Sequence, residues 1–198
     1  PISDPGGVMP VIFVGCVPVP ADAADGAYNT GAEQIAARLT DRTSAIVVAH
    51  IGGEPVDMDG VLALAAERGL PVIEDCAQAH GARYGGRLVG TLGHVTAFST
   101  MRGKHHCTGG QGGVVYTTDE ELHMRGRRFA DRGKAFGLEA TGNVVAGLNC
   151  NLNELSAAIG SAQLGRLGEI VRRRREVGEA IKAGLAERPD AALALGRQ

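Results

Sequence analysis

The chain has 198 residues, of which 44% are hydrophobic, 21% charged and only 4% aromatic, enough to bury one full core. Its formal charge of −2 gives no electrostatic reason to expect nucleic acid. No apolar run approaches the roughly 20 residues that span a bilayer, so no membrane partner is expected either.

Pro1-Ile2-Ser3-Asp4 shows no basic region followed by an apolar one, so it does not read as a signal peptide. It also lacks an initiator methionine, which leads us to expect further sequence upstream. Residues 11–19 are apolar and punctuated by prolines, which predicts an edge or entry strand. A short helix is expected over 31–39, with Ile35, Ala36 and Leu39 at helical spacing. Residues 45–49 (AIVVA) form a continuous run, as in a strand buried on both faces. Residues 57–68 then read as a helix, with Asp57 as N-cap, an apolar stripe of Val61, Leu62, Leu64 and Ala65, and Gly69 as terminator. Residues 70–74 are the next buried strand, and strand–helix–strand in this order builds a parallel sheet.

Two further strands are expected at 96–99 and 113–117. The helix at 119–130 carries acids in its first turn and arginines in its last, which suits the helix dipole. From Asn153 onward the chain reads as helical, with Leu155, Ala158, Ile159, Ala162 and Gln163 on a buried face. A long arginine-rich helix follows over 167–187. There Glu169, Glu176 and Glu179 flank Arg172–Arg175 at helical distances, so the run reads as a salt-bridged, solvated face. Cys16, Cys76, Cys107 and Cys150 form no C-x-x-C pair. They read as small buried residues in a reducing, cytoplasmic setting.

The chemistry concentrates in residues 72–117. Asp75 ends an apolar strand, Gln78 lies three residues on, and Ser99 ends a second strand. Lys104 follows five residues later, inside a turn too rich in glycine to be a helix. In open α/β sheets ligands bind at the carboxyl ends of strands, and Asp75 and Ser99 fall at two such ends. A carboxylate for a pyridine nitrogen, a hydroxyl for a phosphate and an amine for an aldehyde are what pyridoxal phosphate (PLP) requires. Taken singly, each residue has a plainer reading. Asp75 suits a helix N-cap, Gln78 a surface amide, Ser99 a turn serine and Lys104 a solvated loop lysine. His50, Glu54, Asp57 and Asp59 lack compact ligand spacing, so no metal is expected. No G-x-x-x-x-G-K-[ST] run occurs, which excludes a P-loop.

At EDCAQAHGA, at the run ending in FS at Ser99, at Lys104, at GGQGGVVYTTDEEL, and at Gly147-Leu148-Asn149 followed by LNELSAAIGSAQLGRL, the chain resembles the DegT/DnrJ/EryC1/StrS family of PLP-dependent sugar aminotransferases. The resemblance runs from about Asn29 to Arg175. It implies an α/β fold of the aspartate-aminotransferase type (fold type I), with a mostly parallel sheet flanked by helices and incomplete at both ends. Lys104 would be the Schiff-base lysine, Asp75 would sit on the pyridine nitrogen, Gln78 against the ring oxygen and Ser99 on the phosphate. Asn149 matches an asparagine that reaches the phosphate from a neighbouring subunit, which implies a homodimer; its plainer reading is a loop amide.

Family chains are substantially longer, so residues 1–166 are expected to be part of the large PLP-binding domain. Residues 167–198 would then lead toward a smaller C-terminal domain. The family's usual aromatic before the glycine–lysine pair is replaced here by Thr100-Met101-Arg102, and Arg102 reads either as a contact to an anionic group or as solvated. The implied reaction passes an amino group from glutamate or glutamine to a keto-sugar, often nucleotide-linked, or to a cyclitol ketone. Some relatives are dehydratases with histidine in place of the lysine. Lys104 favours aminotransfer and leaves His105 and His106 as polar lining. The remaining alternative is a catalytically silent piece acting in dimerisation or regulation.

Overall fold

A computed structural model describes residues 3–187, so 188–198 of the expected C-terminal connection lie outside the described residues. Four strands form one sheet in the order β1 (Ile46–Ala49), β2 (Val72–Asp75), β5 (Val95–Ser99) and β6 (Gly113–Tyr116). β1–β2 and β2–β5 are parallel and β5–β6 is antiparallel, so the mostly parallel sheet is present with one reversed edge. β3 (Arg83–Tyr84) and β4 (Arg87–Leu88) make a separate hairpin that the sequence reading missed. Its signal was Gly85-Gly86, both at positive φ, as a two-residue hairpin turn requires.

Helix α3 (Met58–Arg68) packs against the sheet, with Met58, Val61 and Ala65 buried against Ile46, Val48 and Val72. Gly69 closes it in the left-handed region at φ 63°, as expected of a terminating glycine. Asp57 precedes it but makes no side-chain cap, because its carboxylate accepts the Tyr84 hydroxyl at 2.6 Å and ties the hairpin to the helix. Helix α2 (Ala32–Ala36) buries Ile35 in the same core, and Leu39 packs beside it. In α4 (Glu120–Ala130), Asp119 caps Leu122 N–H at 2.8 Å.

Three expectations are corrected. Residues 11–19 form no strand: α1 (Pro5–Phe13) takes in 11–13, started by Asp4 accepting from Gly6 N–H with Pro5 in the first turn. The remainder up to residue 19 is irregular. β1 is not buried on both faces: Ile46 and Val48 pack into the core with α3, while Val47 on the opposite face is 44% exposed. In α5 (Glu154–Leu164) only Gly160 is buried, and Leu155 is 80% exposed. That helix meets residues 108–109 through Gly160 and Ile159, whose side chain lies against Gly109, and leaves Leu155 uncovered.

The cysteines also divide. Cys76 is buried and Cys107 half-buried, but Cys16 and Cys150 are exposed, because both lie in irregular surface segments. Helix α6 (Leu167–Ala186) lies back on the domain, with Arg175 donating to the Gly81 carbonyl at 2.9 Å. Among the described residues, no helix is long and apolar enough to cross a membrane.

Candidate active site

Parallel pairing fixes one rim. Ala49, Asp75 and Ala97 lie in register across β1, β2 and β5, so the segments that leave these strands emerge at the same end of the sheet. Asp75 ends β2 with its Oδ1 accepting from Ala77 N–H at 2.9 Å, and Ser99 ends β5 next door. Gly7 of α1 passes close over Asp75: a Cβ there would stand 3.2 Å from Asp75 Oδ2.

The chain leaving β5 turns back into β6 through residues 100–112. Thr100 N–H donates to the Gly112 carbonyl (2.8 Å), Arg102 N–H to Gly110 (2.7 Å) and Thr108 N–H to Thr100 (2.9 Å). The buried Thr100 and Thr108 hydroxyls meet at 3.0 Å and tie the base of the loop. Gly103, at φ 102°, supplies the sharp bend that presents Lys104. Helix α5 supports the loop from outside, where His106 Nε2 hydrogen-bonds the Gly160 carbonyl at 2.9 Å.

Lys104 faces a cleft of about 280 Å³ whose polar side chains are Gln78, Lys104, His105 and Arg174. Gly52, Ala77 and Gly103 complete the lining. The Lys104 ammonium forms no hydrogen bond or ion pair among the described residues. Gln78 Oε1 accepts from Gly52 N–H at 2.8 Å, which turns its NH₂ group to the other side as a free donor. The Gly52 loop is itself held by Asn29, which accepts from Ile51 N–H (3.1 Å) and donates to the Glu54 carbonyl (2.8 Å).

Under the rim lies a buried node. Glu74 accepts from His50 Nε2 (3.1 Å), Gly90 N–H (2.7 Å), Leu92 N–H (2.8 Å) and Gly93 N–H (2.6 Å). Val56 N–H donates to His50 Nδ1 at 3.0 Å, which leaves the ring proton on Nε2, facing Glu74. Burial alone would raise the Glu74 carboxyl, but His50 and the backbone donors outweigh it and bring it down to about 2. His50, Glu74 and Cys76 have ligand atoms within 4.8 Å of one another. The node is nevertheless hydrogen-bonded structure rather than a metal centre. Both His50 nitrogens and both Glu74 oxygens are engaged, and burial with the Glu74 and Asp75 charges pushes the Cys76 thiol up.

His80 is buried between Phe98 and His105, with ring centroids 5.4 Å from each. Neither of its nitrogens has a hydrogen-bond partner, and the backbone of Ser99 approaches without hydrogen-bond geometry. Burial first, then the charges of His105, His106 and Lys104, lower its ring to about 4.

The structure therefore gathers Gln78 and Lys104 in one cleft, with Asp75 and Ser99 on the same rim. Asn149 stands apart: it is exposed, its backbone bridges to Asp131, and its Oδ1 accepts from Asn151 at 2.9 Å. Arg102 is exposed and outside the cleft lining. Of the two histidines expected as lining, only His105 fills that role. Sequence reasoning missed Gly52, His80 and Arg174. The arginine run is only partly a salt-bridged face, since Arg172 and Arg173 pair with Glu169 while Arg174 turns to the cleft.

Known proteins share this arrangement of chain. GDP-perosamine synthase from Escherichia coli O157:H7 is 34% identical over 178 residues, covering 90% of this chain and 48% of that protein. L-glutamine:2-deoxy-scyllo-inosose aminotransferase from Streptomyces fradiae is 41% identical over 175 residues, covering 83% and 41%. The crystal structure of the aminotransferase TlmJ from Streptoalloteichus hindustanus superposes with a TM-score of 0.83 at 38% identity, covering 93% of this chain and 50% of that one. The chain thus spans about half the length of the curated relatives it matches. The DegT/DnrJ/EryC1/StrS aminotransferase family matches residues 5–196, and the chain belongs to that family, whose cofactor is pyridoxal phosphate.

Proposed function

We propose that this chain carries the cofactor lysine of a PLP-dependent aminotransferase. The enzyme would move an amino group from glutamate or glutamine to a keto-sugar, often nucleotide-linked, or to a cyclitol ketone. The observation that carries the reading is the unpaired Lys104 ammonium in a cleft beside the outward-facing NH₂ of Gln78. The names of the relatives, which include a perosamine synthase and a cyclitol aminotransferase, support the acceptor class.

The residues present fit the cofactor. PLP, when bound, supplies an electron sink for the carbon that loses its proton. Asp75 is the carboxylate that holds a proton on the pyridine nitrogen, and the Gln78 NH₂ donates to the ring oxygen. Ser99 Oγ is the phosphate donor. Lys104 Nζ would hold the cofactor covalently, and as a free amine it would take the donor's Cα proton. Asn149, exposed on its loop, is assigned to the phosphate of a second copy, which makes the working form a homodimer in a cytoplasmic setting. Residues 1–166 are read as much of the cofactor domain and 167–198 as the connection toward a smaller one.

Borohydride reduction after incubation with PLP, followed by peptide mapping, tests the reading. A reduced adduct on Lys104, absent in Lys104→Ala, is expected. Reduction at scattered surface lysines, unchanged in that variant, would overturn it.

A further inference from the structure

Helix α4 is closed by an acid, Asp131, where the helix dipole favours a cation. Asp131 is only 8% exposed, and three side chains converge on its carboxylate. Arg132 donates to Oδ1 through Nε (2.9 Å) and Nη2 (2.7 Å), Asn151 Nδ2 to Oδ1 (2.9 Å) and Lys134 Nζ to Oδ2 (2.8 Å). Donation from Lys134, then Asn151 and Arg132, holds the carboxyl well below the usual carboxylate range. Arg132 itself sits at φ 60°, a left-handed conformation that a residue with a side chain adopts only where its surroundings compel it.

What this centre holds is the segment that bears Asn149. Arg132 N–H donates to the Leu148 carbonyl (2.7 Å), Leu148 N–H to Phe129 (2.7 Å) and Cys150 N–H to Ala130 (2.8 Å). The backbone is thus pinned on both sides of Asn149. Its side chain is fixed separately. The same Asn151 Nδ2 that donates to Asp131 also donates to Asn149 Oδ1 at 2.9 Å, one hydrogen to each. With its oxygen engaged, exposed Asn149 keeps its NH₂ group as the free end, without a hydrogen bond among the described residues. An exposed asparagine lacking such a partner would turn freely and offer oxygen or nitrogen alike.

We propose that Asp131 and Asn151 are positioning residues that set the Asn149 amide, its oxygen held and its NH₂ group free to donate to an anionic oxygen. That this oxygen belongs to the cofactor phosphate of a second copy rests on reading Asn149 as the phosphate contact.

The test first follows the isotope-labelled side-chain amide of Asn149 by NMR in the cofactor-free chain, its signal identified by loss in Asn149→Ala. A heteronuclear NOE typical of an ordered group is expected. Asn151→Leu removes both donated bonds at an exposed position, so the variant is expected to fold and the NOE to fall to that of a mobile surface amide. Asp131→Asn should lower it in the same direction. Lys134→Gln, which takes a partner from the other carboxylate oxygen, should leave it unchanged. Order kept in Asn151→Leu, or lost equally in Lys134→Gln, would overturn the proposal.

Borohydride trapping at Lys104 is the second readout, with PLP and with pyridoxal, which has no phosphate. Asn151→Leu should raise the half-maximal concentration about fivefold for PLP and leave that for pyridoxal within about twofold. An equal rise for both would mark a merely structural role and defeat the proposal. Unchanged PLP trapping in Asn149→Ala would instead defeat the phosphate reading of Asn149, and the NMR result would still decide whether Asp131 and Asn151 set its amide.

Discussion

Gly52 and Gln78 are joined by a 2.8 Å hydrogen bond from the backbone N–H of the first to the side-chain oxygen of the second. The bond decides which end of the amide faces the cleft. Gly52 sits at φ 67°, and a Cβ there would stand 3.2 Å from the Tyr28 hydroxyl, so the loop is shaped for a residue without a side chain.

Gln78→Glu separates the two ends of that amide. Glutamate keeps an oxygen to accept from Gly52 but loses the NH₂ donor. The concentration of PLP needed for half-maximal trapping at Lys104 is expected to rise about tenfold, with thermal stability little changed. Unchanged trapping would mean that Gln78 does not donate to the cofactor.

His80→Phe is expected to stabilise the fold by about 1 kcal/mol at pH 5. It replaces two unpartnered nitrogens with carbon in a ring stack that already holds Phe98. In the native protein the His80 ring is lowered to about 4, so the unfolded chain binds the proton more readily. Stability conferred by the neutral ring is therefore complete above about pH 6.5 and declines as pH falls toward 4. Denaturant titrations between pH 7 and pH 4.5 should show a shallower decline in the variant.

Glu74→Gln probes the buried node. The native carboxyl is lowered from 4.5 to about 2, so its contribution is fully present above pH 4.5 and is lost as pH falls through 2. That shift corresponds to about 3 kcal/mol, and the variant should lose stability of this order at neutral pH. Below pH 4.5 its unfolding midpoint should depend less on pH than that of the native protein.

Gly160→Ala reverses the usual helix rule. Alanine in a helix interior normally gains about 1 kcal/mol over glycine. Here its Cβ would stand 2.9 Å from Thr108 Cγ2, inside the loop that carries Lys104. Lower thermal stability and slower trapping at Lys104 are expected together, because α5 and the loop must part.

Much of this was legible in the chain. The alternation of apolar runs with Asp57–Gly69 predicted β1, α3 and β2, and the strand-end positions of Asp75 and Ser99 placed both on one rim. Local signals sufficed because each is a run of neighbours. Burial was not legible where it depends on distant partners. The apolar spacing of Leu155 and Ile159 is genuine, but Gly109 only partly covers Ile159 and Leu155 stays 80% exposed. Arg174 looked identical to its neighbours until the fold showed which helix face meets the cleft. His80 carried no signal, since a histidine after Ala79 reveals nothing of the two rings that flank it.

The reversed edge of the sheet bears on how the molecule is assembled. β5 and β6 are joined directly by the loop that bears Lys104, so Ser99 meets Gly113 with no crossover between them. Ile46 meets Val72 only after the whole of α3 has been threaded past. Local pairings close with less loss of chain entropy than distant ones. The β5–β6 hairpin is thus the cheapest long-range contact in the sheet to nucleate, and Lys104 belongs to the part expected to order first.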